Sequence, residues 1–181
     1  GADFRRLLFG FIRGNQQNVT GQIASKFAME AFLEAGLNWD LDGEHAVHEG
    51  LREANRRVYE YSTKMLAASR VTTTGLLSVF DGERCCIART GDEEGYLYRA
   101  GELTPLFKNV AASKTRIERF IGANKQLLAD ISTFKVRPGD LIWLSNAALP
   151  SLRTVSDIPF DDLYVEDIAG EIVVRMRGSA P

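Results

Sequence analysis

TTTGLLSVFDGERCCIARTGDEEGYLYRAGELTPLF, residues 72–107, holds four short β-rich runs at 72–80, 84–89, 95–99 and 103–107. They are separated by Asp81-Gly82, Gly91-Asp92 and Ala100-Gly101, pairs that reverse a chain cheaply because glycine tolerates positive φ and aspartate bonds its own backbone. Runs of this length punctuated in this way predict an antiparallel meander of consecutive hairpins. Cys85 and Cys86 are neighbours within one run, so they project to opposite faces, and a bridge between them would need unusual geometry. Both are expected to be reduced and packed.

Upstream the period changes. Val47, Leu51, Ala54, Val58, Tyr61 and Met65 recur in threes and fours, while Arg52, Glu53, Arg56, Arg57 and Glu60 occupy the other faces, which predicts an amphipathic helix over 44–68. A preceding helix is expected from a cap at Thr20 or Gly21 through Ile23, Phe27, Ala31 and Leu33 to a left-handed stop at Gly36. A strand at 4–12 and a polar loop at 13–20 lead into it. Downstream, the pattern predicts a helix at 114–122, strands at 131–136 and 141–145 joined by Arg137-Pro138-Gly139-Asp140, short helices at 147–153 and 161–167, and a closing strand at 171–177. Two helices followed by antiparallel strands, with helices again near the end, define an α+β layered fold.

Composition narrows the function classes. The chain has 181 residues, 45% hydrophobic and 25% charged, which fits a single domain spanning 1–181. The opening is abrupt, as expected of a domain excised from a longer chain. No apolar run approaches the ~20 residues that cross a bilayer, so no membrane insertion is expected and a cytoplasmic location is. A net charge of −2 with interspersed cations gives no basic block for nucleic acid.

The local words resemble, in order, those of the metal-dependent Ser/Thr protein phosphatases of type 2C. Arg13-Gly14-Asn15-Gln16-Gln17-Asn18 followed by Gly21-Gln22-Ile23-Ala24-Ser25 looks like the family's Asp-Gly-x-Gly-Gly-His loop and its Gly-x-x-Ala-Ser helix. Thr72-Thr73-Thr74 resembles the Gly-Thr-Thr strand entry, and Gly91-Asp92-Glu93-Glu94-Gly95-Tyr96-Leu97 the Gly-Asp-Ser-Arg-x-Tyr-Leu hairpin. The stretch 138–149, from Pro138-Gly139-Asp140 through Ser145-Asn146-Ala147, is similar to the family's late strand and Ser-Asp-Gly-Leu motif. The resemblance implies a four-layer α-β-β-α sandwich of two antiparallel sheets flanked by helices, reduced relative to the family.

The departures fall on the metal ligands. The family holds two divalent cations with aspartates, and the bridging aspartate position is Arg13 here, beside Gly14, while a second falls on Ala147. A guanidinium has no lone pair to offer, and at ~4 Å and an effective dielectric near 20 it repels a dication by roughly 8 kcal/mol. Of the acids that could belong to a metal site, Asp92 is retained, with Asp167 or Asp162 as the further candidate. The resemblance therefore implies no metal, no cofactor and no catalysis: a pseudophosphatase with a protein-binding, regulatory or scaffolding role in signalling. Its expected partner is another protein or another domain of the same chain, a kinase or phosphoprotein among the candidates. Arg13 is expected to pair with Asp92 or Asp167, with a direct phosphate contact ranked second.

Two other functions stay open, a divergent metal-dependent phosphatase that uses Asp92 and Asp167, and a small-ligand site in the former cleft. His45 and His48 share a helix face without a third ligand and read as surface residues. Ser25 and Ser145 lack a histidine placed to activate them. Arg52, Arg56 and Arg57 read as a solvated face that can also serve a partner.

Overall fold

In β1 (Arg6–Gly14) alternate residues serve two cores: Leu8 and Ile12 turn to one side, Phe9 and Phe11 to the other. The same division runs through β2 (Thr73–Asp81), where Leu77 and Val79 oppose Leu76 and Phe80, and β3 (Arg84–Thr90), where Cys86 and Ala88 oppose Cys85 and Ile87. A sheet with both faces covered explains why these strands read as near-continuous apolar runs. The computed structural model from which this architecture is taken describes residues 6–65, 70–107 and 116–146, together with 158, 159, 163, 164 and 167.

One face of this sheet is covered by α1 (Val19–Gly36) and α2 (Gly43–Met65), which pack against each other through Ala24, Ala28, Ala31, Ala54 and Val58. The other face meets a second sheet. The strand order is β1-β2-β3-β6 in the first and β5-β4-β7 in the second, with β4 (Glu94–Arg99), β5 (Glu102–Pro105), β6 (Asp130–Lys135) and β7 (Leu141–Ser145), every pairing antiparallel. Leu76, Ile87, Phe107, Phe134, Ile142 and Leu144 fill the space between the sheets. Tyr96, Tyr98 and Trp143 cover the far face of the second sheet and are met by Ile158 and Leu163. This is the expected α+β sandwich in reduced form.

The meander is interrupted where it was expected to continue. Asp81-Gly82 makes the β2–β3 hairpin, and Ala100 (φ 51°) with Gly101 (φ 84°) makes the β4–β5 turn, but β3 and β4 lie in different sheets. The Gly91-Asp92-Glu93 segment is a crossover between sheets, and the 136–140 turn is a second one, from β6 to β7. Asp140 stabilises that turn by accepting the Arg137 N–H and the Arg99 guanidinium.

Smaller expectations also shift. Asn18 caps α1, its Oδ1 accepting the Gly21 N–H at 3.0 Å, in place of Thr20 or Gly21. Gly36 remains helical, and its value is space, since a Cβ there would lie 2.7 Å from Leu8. Of the helix expected at 114–122, the described residues form one 3₁₀ turn, η1 (Arg116–Arg119). The helix expected at 147–153 and the strand at 171–177 lie outside the described residues, as does most of 161–167. The two cysteines are free and face opposite sides of the first sheet, and burial pushes the Cys85 thiol up to about 12.

Candidate functional site at the sheet crossover

The end of β1, the start of β2 and the crossover after β3 meet at one edge of the sandwich. Antiparallel register sets Arg13 opposite Thr74, and alternation puts both side chains on the face toward the second sheet. Glu93 enters the same place from the crossover and is completely buried. Its Oε1 accepts the Thr74 hydroxyl at 2.6 Å and Arg13 Nε at 3.2 Å, while its Oε2 has no hydrogen-bond partner among the described residues. Gly91 makes this approach possible: at φ +82° a Cβ would stand 2.5 Å from Thr74 Cγ2 and 2.6 Å from Glu93 Oε2.

Arg13 is therefore paired with Glu93, and not with Asp92 or Asp167. Adjacent residues in the crossover project differently: Glu93 is directed inward, whereas Asp92 is exposed. Asp167 is exposed too, and its described contact is a backbone hydrogen bond to Tyr164. Ala147 lies outside the described residues. Arg13 keeps 55% of its side-chain surface exposed, and its two terminal nitrogens make no hydrogen bond among the described residues.

The loop after Gly14 is tied down by amide side chains. Asn15 Nδ2 donates to Thr72 Oγ1 at 2.8 Å, Gln16 Nε2 donates to the Arg70 carbonyl at 2.8 Å, and the Asn15 N–H donates to the Thr72 carbonyl. A cleft of about 510 Å³ opens beside it, lined by Arg13, Gln16, Gln17, Asn18, Gln22 and Ser25 among others. Ser25 Oγ donates to the Gly21 carbonyl within the helix.

A second buried polar group braces the crossover from behind. Arg89 donates to Asp130 through Nε and Nη2, stacks over Phe107 at 4.8 Å, and lies 3.7 Å from Glu94. Arg119 adds a contact to Asp130, and its carbonyl accepts the Gly91 N–H. Burial raises the Asp130 carboxyl, but hydrogen bonds from Arg119 and Arg89 outweigh it, and the net position is below the usual range. Burial holds Glu94 above its usual range despite Arg89. Nothing in the sequence marked this group; the β3–β6 pairing that brings Arg89 opposite Asp130 was the missing information.

The other singled-out residues stay outside the site. Arg52, Arg56 and Arg57 pair along the helix surface with Glu49, Glu53, Glu60 and Glu34. His45 bonds Asp42, which caps α2 by accepting the His45 N–H.

This sandwich is the fold of the type 2C serine/threonine phosphatases. The Mycobacterium tuberculosis phosphatase PstP/Ppp superposes with a TM-score of 0.74 at 18% identity, covering 98% of this chain and 88% of that one. The catalytic domain of PstP in complex with two manganese ions gives 0.73 at 20% identity, covering 100% and 88%. PppA of Pseudomonas aeruginosa, a key regulatory component of a type VI secretion system, gives 0.72 at 18%, covering 95% and 84%. No protein-family model and no curated protein matches the sequence.

These structures correct one expectation. A chain that is not an enzyme is the expectation from Arg13 and Ala147, yet solved structures with its fold include the serine/threonine phosphatase PstP, in one case in complex with two manganese ions. The fold also implies metals, and the described donors do not fit them: no three His, Cys, Asp or Glu side chains gather among the described residues, and Glu93 is paired through Oε1 with the Arg13 guanidinium.

Proposed function

We propose that the chain is a phosphatase-fold recognition domain that binds another protein, or another domain of its own chain, in a regulatory role in cytoplasmic signalling. The observation that supports this reading is the crossover itself. A half-exposed cation is held in place by a buried carboxylate and stands beside a cleft whose loop is already ordered by side-chain hydrogen bonds. A preformed surface of this kind loses little entropy on binding. The regulatory part draws on PppA, and the partner class on the phosphatases that share the fold, so a kinase or phosphoprotein is the expected partner. No helix among the described residues is long and apolar enough to cross a membrane.

Affinity capture with the wild-type chain and with Arg13→Gln, each checked for folding, tests the proposal. A partner retained by the first and lost by the second is expected; no reproducible partner with either chain refutes it.

The manganese-bound PstP domain favours a second reading, a divergent metal-dependent phosphatase. Turnover of an aryl phosphate that requires manganese and is lost in Asp92→Asn would establish that reading.

A further inference from the structure

We propose that the chain pairs with a second copy of itself through the open edge of β1, so that the first sheet continues across a twofold axis. This goes beyond the recognition reading and does not rest on it. In the order β1-β2-β3-β6 the first strand has a neighbour on one side among the described residues. The ladder shows which of its backbone groups are left over. Gly75 donates its N–H to Thr90 Oγ1 and its carbonyl accepts from that hydroxyl, so its polar groups point to β3. Ile12, opposite Gly75, therefore turns its own N–H and C=O away from β2. Asn15 confirms the phase, because its N–H donates to the Thr72 carbonyl in the same register. Alternation then sends the backbone groups of Leu8, Gly10 and Ile12 to the open edge, where they have no partner among the described residues. Between Arg6 and Arg13 the strand holds no Lys, Asp, Glu or Pro, the residues that block such edges against pairing.

The strand is complementary to itself. Its nine residues, Arg6–Gly14, are centred on Gly10, and an antiparallel copy centred there sets Gly10 against Gly10, Leu8 against Ile12 and Phe9 against Phe11. Leu8 and Ile12 both carry outward backbone groups, so this register closes hydrogen bonds. It joins aliphatic side chains on the helix side and aromatic ones on the other, and it sets Leu7 against Arg13. Gly10, where a Cβ would stand 2.2 Å from the Leu76 carbonyl oxygen, keeps the axis free of side chains. The flank of the edge is apolar too. Leu33 and Leu37 lie on the side of α1 turned away from α2, the helix that Ala24, Ala28 and Ala31 face. Arg6 holds the chain after α1 beside the start of β1, donating to the Gly36, Asn38 and Leu41 carbonyls with its guanidinium 5.1 Å from the Trp39 ring. Leu7, Leu33, Leu37 and Trp39 are all exposed, and a second copy on this edge shields apolar surface from water.

Sedimentation equilibrium of the whole chain, joined to residue-resolved amide hydrogen exchange, tests the proposal. The mass is expected to rise with concentration from 20.1 kDa toward twice that value, and the amides of Leu8, Gly10 and Ile12 should gain protection as the dimer forms. Leu7→Lys changes an exposed side chain and places a like charge against Arg13 twice in the dimer, so it should raise the dissociation constant about tenfold or more. Leu7→Glu offers the same arginine the opposite charge and should lower the constant or leave it unchanged.

A monomer at every concentration up to the millimolar range overturns the proposal. Protection of the three amides in the monomer overturns it as well, because another segment of the chain then covers the edge. A dimer in which those amides still exchange freely pairs through a different surface. Equal weakening by Leu7→Lys and Leu7→Glu, or no effect of Leu7→Lys, overturns the register centred on Gly10.

Discussion

Arg13→Gln strands Glu93 as a completely buried carboxylate with Thr74 as its remaining hydrogen-bond donor. Removing one member of a fully buried pair costs about 3–5 kcal/mol, because the other charge stays desolvated. Arg13 is 55% exposed, so water and salt already screen part of the attraction, and a cost of about 2 kcal/mol is expected. Glu93→Gln returns Arg13 to solvent and removes the buried charge, for about 1 kcal/mol of lost hydrogen bonding. The double variant leaves no buried charge and should also cost about 1 kcal/mol, giving a coupling energy near 2 kcal/mol. Urea unfolding at neutral pH reads this directly. With a slope of about 2 kcal/mol/M, Arg13→Gln should move the midpoint down by about 1 M and the double variant by about half that, at unchanged slope. Additive single-variant costs, with a coupling below about 0.5 kcal/mol, would refute the claim that Glu93 depends on Arg13.

Gly91→Ala combines positive φ with a clash against Thr74 and Glu93, and should cost about 2 kcal/mol or more in the same assay. Burial holds the Glu94 carboxyl above the usual carboxylate range in the folded state, so its ionisation costs stability as pH rises past that range. Glu94→Gln should accordingly raise the melting temperature at pH 7 and give no gain at pH 4. Asp130 is shifted the other way, so its contribution is present above 3.8 and lost as pH falls through its folded value. Asp130→Asn should flatten the acid limb of a melting-temperature profile below pH 4. Asn55 is buried and ties α2 to the Gly122 N–H and to the carbonyls of Asn124 and Lys125, so Asn55→Ala should cost about 2–3 kcal/mol in urea unfolding.

The elements were legible where one local rule decides. The 3.6 period marked α2, Asp81-Gly82 and Ala100-Gly101 marked real hairpin turns, and adjacent cysteines on one strand had to face opposite ways. Sheet membership was not legible, because Gly91-Asp92 has the same turn chemistry whether the chain folds back beside β3 or crosses to another sheet. The difference is set by the burial of Tyr96 and Tyr98 on a second layer, a tertiary choice. The ion pair was missed by one residue for the same reason, since which of Asp92 and Glu93 turns inward depends on the path of the crossover. The α1 cap was obscured because Asn15, Asn18 and Thr20 are all capable of capping, and only the helical phase selects Asn18. The position of Arg13 was visible through the family resemblance, but its orientation required Glu93.

A crystal structure grown with manganese, with anomalous data collected at the manganese edge, tests the central claim most directly. The expected result is Arg13 Nε bonded to Glu93 with no anomalous peak beside that carboxylate. A manganese peak on Glu93 or Asp92, with Arg13 displaced, would contradict the claim that the guanidinium is the cation this site is built around.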